Sequence, residues 1–165
     1  MSAPAPGKMA PPISLPGVSG DHFDLDKRRG QGPVVVAFFK VSCPTCQYAF
    51  PYLERIFRLH PAGKVTWAGI SQNEKRDTQS FAERFGITFP LYLDDTQSYP
   101  VSNRYGLSYV PSIFLVSPEG KVELASVGWL RPDIEELNTR LARAAGEPPA
   151  EIFSPGEEVV DFMAG

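Results

Sequence analysis

The feature that most limits how this chain folds is the run Val34-Val35-Val36-Ala37-Phe38-Phe39, set off by a breaker from Gly30 to Pro33. Six consecutive apolar residues leave no polar face, so the strand they form is covered on both sides. A central strand of that kind needs layers above and below it. The rest of the pattern supplies them. Pro44 suits a first helical position, and Phe50, Leu53 and Phe57 follow at helical spacing. Pro51 is expected to kink that helix, and residues 60–63 to stop it. A strand is predicted from Val65 to Ile70, and a helix over 75–85 that ends at Gly86. A short strand follows from Phe89 to Leu93, then a short helix from Ser98 to Tyr105. Ile113 to Val116 and Lys121 to Val127 read as two strands joined by the turn 117–120. Arg131 to Ala145 places Ile134, Leu137, Leu141 and Ala144 on one helical face. Before all of these, Ile13 to Leu25 reads as a hairpin. The order predicts an α/β fold with a mixed sheet flanked by helices and an N-terminal hairpin extension.

Residues 1–12 contain four prolines and little apolar matter, and are expected to be a flexible leader. Residues 13–145 form the domain. The last twenty residues, 146–165, hold three prolines and five acidic side chains, and predict a tail or a surface-hugging extension.

Only two cysteines occur, in the order Cys43-Pro44-Thr45-Cys46. Random placement gives this spacing about 1% of the time, so the pair calls for a chemical reason. A disulfide across so short a loop closes little chain and stabilises little. Zinc needs four ligands, and the other soft candidates, His22 and His60, are not paired in ligand spacing. No metal is therefore expected. Two unreactive core thiols or a redox dithiol remain, and Cys-X-X-Cys in a reducing cytosol is more often catalytic than structural. No apolar run is long enough to cross a bilayer, and residues 1–18 lack the apolar core of a secretory signal. The location expected is cytoplasmic, or extracytoplasmic if an export segment has been removed. Sixteen basic against nineteen acidic residues give a net charge of −3, with no basic stripe, so nucleic acid is an unsuitable partner. No glycine-rich phosphate loop follows a strand, and a nucleotide cofactor is not expected.

A strand running into Cys43-Pro44-Thr45-Cys46 at a helix start resembles the thioredoxin fold. Val110-Pro111-Ser112, ahead of a strand, resembles its cis-proline loop. Phe50-Pro51 within the helix, Tyr105-Gly106-Leu107 before Val110-Pro111, and the stretch from Phe114 to Val122 are similar to the TlpA/ResA branch, near the AhpC/TSA peroxiredoxins. The resemblance covers roughly residues 13–145. It implies a thiol-disulfide oxidoreductase with Cys43 as the attacking thiol and Cys46 as the resolving one. It also implies that Ser42, Pro44, Thr45, Val110 and Pro111 contact substrate, Val110 through its backbone beside a cis Pro111. Partners would be protein disulfides or dithiols and a thiol electron donor, with a homodimer allowed. The only redox group would be the Cys43–Cys46 disulfide, without a further cofactor. Backbone N–H groups of Thr45 and Cys46 are expected to hold the Cys43 thiolate. The Thr45 hydroxyl would either donate to Cys43 or cap the helix.

The chain departs from that family at three points. Ser42 stands where many relatives have Trp, and Ala37 and Ala49 stand where relatives carry a buried acid. The base that deprotonates Cys46 is thus absent from both usual places, and slow resolution is expected. Lys40 and Glu54, the nearest titratable residues in sequence, read as solvated charges. The alternative function is a thiol peroxidase with Cys43 peroxidatic and Cys46 resolving. Its motif, Pro-x-x-x-Thr/Ser-x-x-Cys, fails here: Val36 and Lys40 occupy the proline and hydroxyl positions. Tyr109 and Trp129 are the aromatic side chains expected to wall the thiol.

Overall fold

The computed structural model describes residues 2–60 and 64–165. Strands β1 (Ser14–Pro16) and β2 (His22–Asp24) pair antiparallel, as the hairpin pattern predicts. The short helix α1 (Leu25–Arg28) follows, its N-terminus capped by the Asp24 carboxylate. Strand β3 (Val34–Phe39) then enters helix α2 (Pro44–Leu59). Strand β4 (Thr66–Ser71), helix α3 (Lys75–Phe85), strand β5 (Leu91–Leu93) and helix α4 (Pro100–Arg104) succeed them. The order closes with β6 (Ser112–Val116), β7 (Val122–Val127), β8 (Trp129–Leu130), α5 (Arg131–Ala144) and β9 (Phe162–Met163).

The main sheet runs β5-β4-β3-β6-β7, with β3 in the middle. It is mixed: β3 is parallel to β4 and antiparallel to β6. Alternate β3 residues point to opposite layers. Val35, Ala37 and Phe39 join Phe50, Leu53 and Ile56 of α2, Phe81 of α3, and Ile134, Leu137 and Leu141 of α5. Val34, Val36 and Phe38 pack instead with Leu15 and Phe23 of the hairpin, Leu25 of α1, and Val101 and Tyr105. All six β3 side chains are buried, which is why the run carries no polar residue.

Most boundaries agree with the pattern within a residue or two. Helix α3 stops at Gly86, which takes φ +68°, a left-handed conformation glycine reaches without a Cβ penalty. Helix α2 is continuous through Pro51; the missing N–H weakens the ladder there without ending it. It ends at His60, and the remaining stop residues, 61–63, lie outside the described part. In α5 the buried face takes Ala142, and Ala145, the C-cap, is buried too, while Ala144, the last helical residue, is exposed. Residues 7–12 are hydrogen-bonded rather than free: Gly7 N–H donates to Val122 O and Val122 N–H to Lys8 O, each at 2.8 Å.

Candidate functional site

Strand β3 carries the chain to the upper end of the sheet, and Cys43 is the N-cap of α2. Its position follows from local rules: Pro44 begins the helix, so the preceding residue is extended (φ −80°, ψ 115°) and its side chain faces the free N–H groups of the first turn. The Cys46 N–H donates to Cys43 Sγ at 3.1 Å. No such bond from Thr45 N–H is among those described, so one of the two expected donors is in place. Cys43 Sγ–H in turn donates to Val110 O at 3.5 Å. The Val110–Pro111 peptide bond is cis. Residues 67 apart in sequence are thereby brought together at one thiol.

Cys43 is half-buried and Cys46 fully buried, and both are free thiols. Burial pushes the Cys46 thiol well above the usual cysteine range, and the hydrogen bond and charge of Cys43 push the same way. Ser42 and Pro44 are exposed beside Cys43. A cavity of about 460 Å³ opens on the thiol, lined by Lys40, Cys43, Pro44, Gln72, the 107–110 loop and Gly165. Tyr109, 62% exposed, forms part of its wall, as expected. Trp129 does not line it. The indole is fully buried, packed edge-to-face with Tyr48 and tilted against Tyr52. A larger cleft of about 610 Å³ between α5 and residues 149–157 is lined by no thiol and no cis-proline residue. Among the described residues no three His, Cys, Asp or Glu side chains cluster as metal ligands.

Two features escaped the pattern. Thr45 is buried, and its hydroxyl neither donates to Cys43 nor caps the helix. It donates instead to Ala164 O at 2.5 Å. Residues 146–165 are therefore no loose tail at this point. Trp129 Nε1–H donates to Val160 O, and β9 pairs with β8 next to the site. Glu54, expected to be solvated, is 5% exposed. It accepts from the Thr88 N–H at 2.8 Å, the Thr88 hydroxyl and the Arg58 guanidinium, so it is committed to tying α2 to the loop before β5. Lys40 is exposed and lines the thiol cavity.

Residues 6–125 match the AhpC/TSA family. The thiol-disulfide oxidoreductase ResA of Geobacillus thermodenitrificans is 31% identical, across 82% of this chain and 77% of its own. The chain belongs to the AhpC/TSA family, and within it to the ResA-like thiol-disulfide oxidoreductases. A Mycobacterium tuberculosis member described as a peroxiredoxin is 28% identical across 73% of this chain and 83% of its own. The crystal structure of a Chlorobium tepidum protein described as the thiol:disulfide interchange protein DsbE superposes with a TM-score of 0.75. It covers 86% of this chain and 99% of that one at 24% identity, which speaks for a shared thioredoxin-like fold. As a family member of this type the chain is an oxidoreductase enzyme acting on disulfides. No helix in its described residues is long and apolar enough to cross a membrane.

Proposed function

We propose that this oxidoreductase exchanges disulfides with protein substrates through Cys43 and Cys46. The observation that carries the reading is the pairing of a half-buried Cys43, hydrogen-bonded by the Cys46 N–H, with a fully buried Cys46 on the next helical turn. Cys43 thiolate attacks a substrate disulfide, forming the Cys43–substrate bond and releasing one substrate thiolate. Cys46, once deprotonated, attacks Cys43 Sγ and releases the second thiol. Two electrons pass to the substrate, and the protein is left with a Cys43–Cys46 disulfide. A dithiol donor returns it to the reduced state, and no other cofactor enters. The reverse sequence oxidises a substrate dithiol.

Ser42, Pro44 and the Val110–Pro111 backbone border the attacked sulfur and are assigned to substrate contact. Thr45 belongs to that surface only when Ala164 has left it. Protein disulfides persist in oxidising compartments. That favours the extracytoplasmic alternative over the cytoplasm, a choice that cell fractionation checks. A homodimer is a further partner of this reading, which sedimentation tests. Peroxidase activity is disfavoured by Val36 and Lys40 at the positions of the peroxide-pocket proline and hydroxyl. The decisive experiment equilibrates the chain in glutathione buffers, reads the dithiol by thiol trapping, and assays insulin reduction and peroxide loss in parallel. Insulin reduction that tracks the dithiol supports the proposal; prompt peroxide removal without it overturns the proposal.

A further inference from the structure

The last residues of the chain lie across the site as an extended strand. Trp129 pairs with Met163 and Leu130 with Phe162. Arg131 N–H donates to Asp161 O at 2.9 Å, and Val160 N–H to the Tyr48 hydroxyl at 3.2 Å. The strand then reaches both halves of the redox site. Ala164 O takes the Thr45 hydroxyl, inside the Cys-X-X-Cys loop. Gly165 lies so close to the cis-proline loop that a Cβ on it would sit 2.7 Å from Val110 O. Gly128, at φ +74°, lets the strand pass: a Cβ there would sit 2.8 Å from Met163 O.

These contacts are of the kind that any extended peptide makes. Backbone carbonyls and small residues touch the loops, and a strand edge supplies the pairing, as in recognition by strand addition. The segment is also held separately from its upstream anchor. Ile152 is buried, Phe153 packs on Tyr52, and Arg55 grips Glu157 with two bonds of 2.7 and 2.8 Å. Beyond Glu157 the strand is two residues long and Phe162 is 63% exposed, the marks of a piece that opens at low cost. It can therefore leave while the rest of the tail stays seated.

We infer that residues 159–165 are a tethered occupant of the substrate groove, which an extended protein segment replaces during the reaction. The inference rests on the disulfide-exchange reading and specifies its substrate class: an unfolded or extended stretch with a small residue beside Val110 and a peptide carbonyl for Thr45. Compact disulfides that need only Cys43 do not displace the strand. A tethered competitor lowers apparent affinity by the fraction of time the groove is filled.

The test uses the full chain with Cys46→Ser. One sample reacts with an extended decapeptide whose single cysteine is activated as its 2-thiopyridyl disulfide; Cys43 takes the peptide sulfur and 2-thiopyridone leaves. A second reacts with the 2-thiopyridyl disulfide of cysteamine. Amide exchange over 159–165 and at Arg131 is expected to rise about tenfold in the peptide adduct only, as for a strand made mostly open. Unchanged protection in the peptide adduct, or an equal rise in both, overturns the inference and identifies a permanent brace. Failure to form either adduct overturns the exchange reading beneath it. In the active chain, Met163→Pro removes the N–H that the β8–β9 register directs at the Trp129 carbonyl, and the KM for the peptide disulfide is expected to fall about tenfold. A KM that does not move while the melting temperature is retained counts against the inference.

Discussion

The Cys43 thiol and the Val110 carbonyl face each other at 3.5 Å, joining the start of α2 to the loop before β6. With Cys46 sealed behind it, Cys43 is the thiol that solvent reaches.

Alkylation at neutral pH should therefore modify Cys43 first, with Cys46 protected until the chain unfolds. Cys43→Ser is expected to lose disulfide reduction altogether. Cys46→Ser should keep the first step and accumulate a mixed disulfide with substrate, visible by intact mass. An adduct that gathers instead in the Cys43→Ser protein would reverse the two roles.

Resolution should be slow and steeply pH-dependent. Burial raises Cys46 far above neutral, and no acid stands at Ala37 or Ala49 to take its proton. While nearly all of the thiol is protonated, its thiolate fraction grows about tenfold per pH unit. Stopped-flow resolution of the mixed disulfide should climb from pH 7 to 9; a flat profile points to a base elsewhere.

The anchor of the C-terminal strand should fail in acid. Arg55, through its hydrogen bond and charge, together with the Ser154 N–H holds Glu157 down at about 2, against an ordinary 4.5. A carboxyl depressed by folding stabilises fully above its unfolded value. That contribution is lost as pH falls from about 4.5 through 2. Glu157→Gln should show the loosened state already at pH 7, read as faster amide exchange over 152–158. Identical exchange in wild type and variant at pH 7 would disprove the anchor.

Glu54 offers a stability test separate from catalysis. Removing its carboxylate leaves the Thr88 and Phe89 N–H groups without their acceptor. Glu54→Ala should cost about 2–3 kcal/mol in urea unfolding. Arg58→Ala, at the exposed end of the same ion pair, should cost at most about 1 kcal/mol. Equal losses would show the ion pair, rather than the buried backbone bonds, to be the source.

Where apolar periodicity dictates structure, it could be read directly: Val34 to Phe39 marks the middle of the sheet, and Phe81, Phe85 and Gly86 mark α3 and its end. The thiol site was legible for a related reason, since Pro44 sets the helix start that makes Cys43 its cap. The strand over Thr45 was not legible. It is held by main-chain carbonyls of Val160, Asp161 and Ala164, and a carbonyl has no sequence signature. Glu54 was misread because a carboxylate within an amphipathic helix looks solvated until the loop it binds, 34 residues on, is in place.

The hairpin and the segment before it have a further effect at the sheet margins. Val18 N–H bonds to Leu91 O on outer strand β5, and the stretch around Lys8 bonds to Val122 on outer strand β7. One N-terminal run thus clasps both rims of the same sheet. Unpaired rims are where sheets recruit foreign strands and grow into aggregates. Each rim is interrupted here by the molecule's own backbone, so the open ladder left for such growth is short.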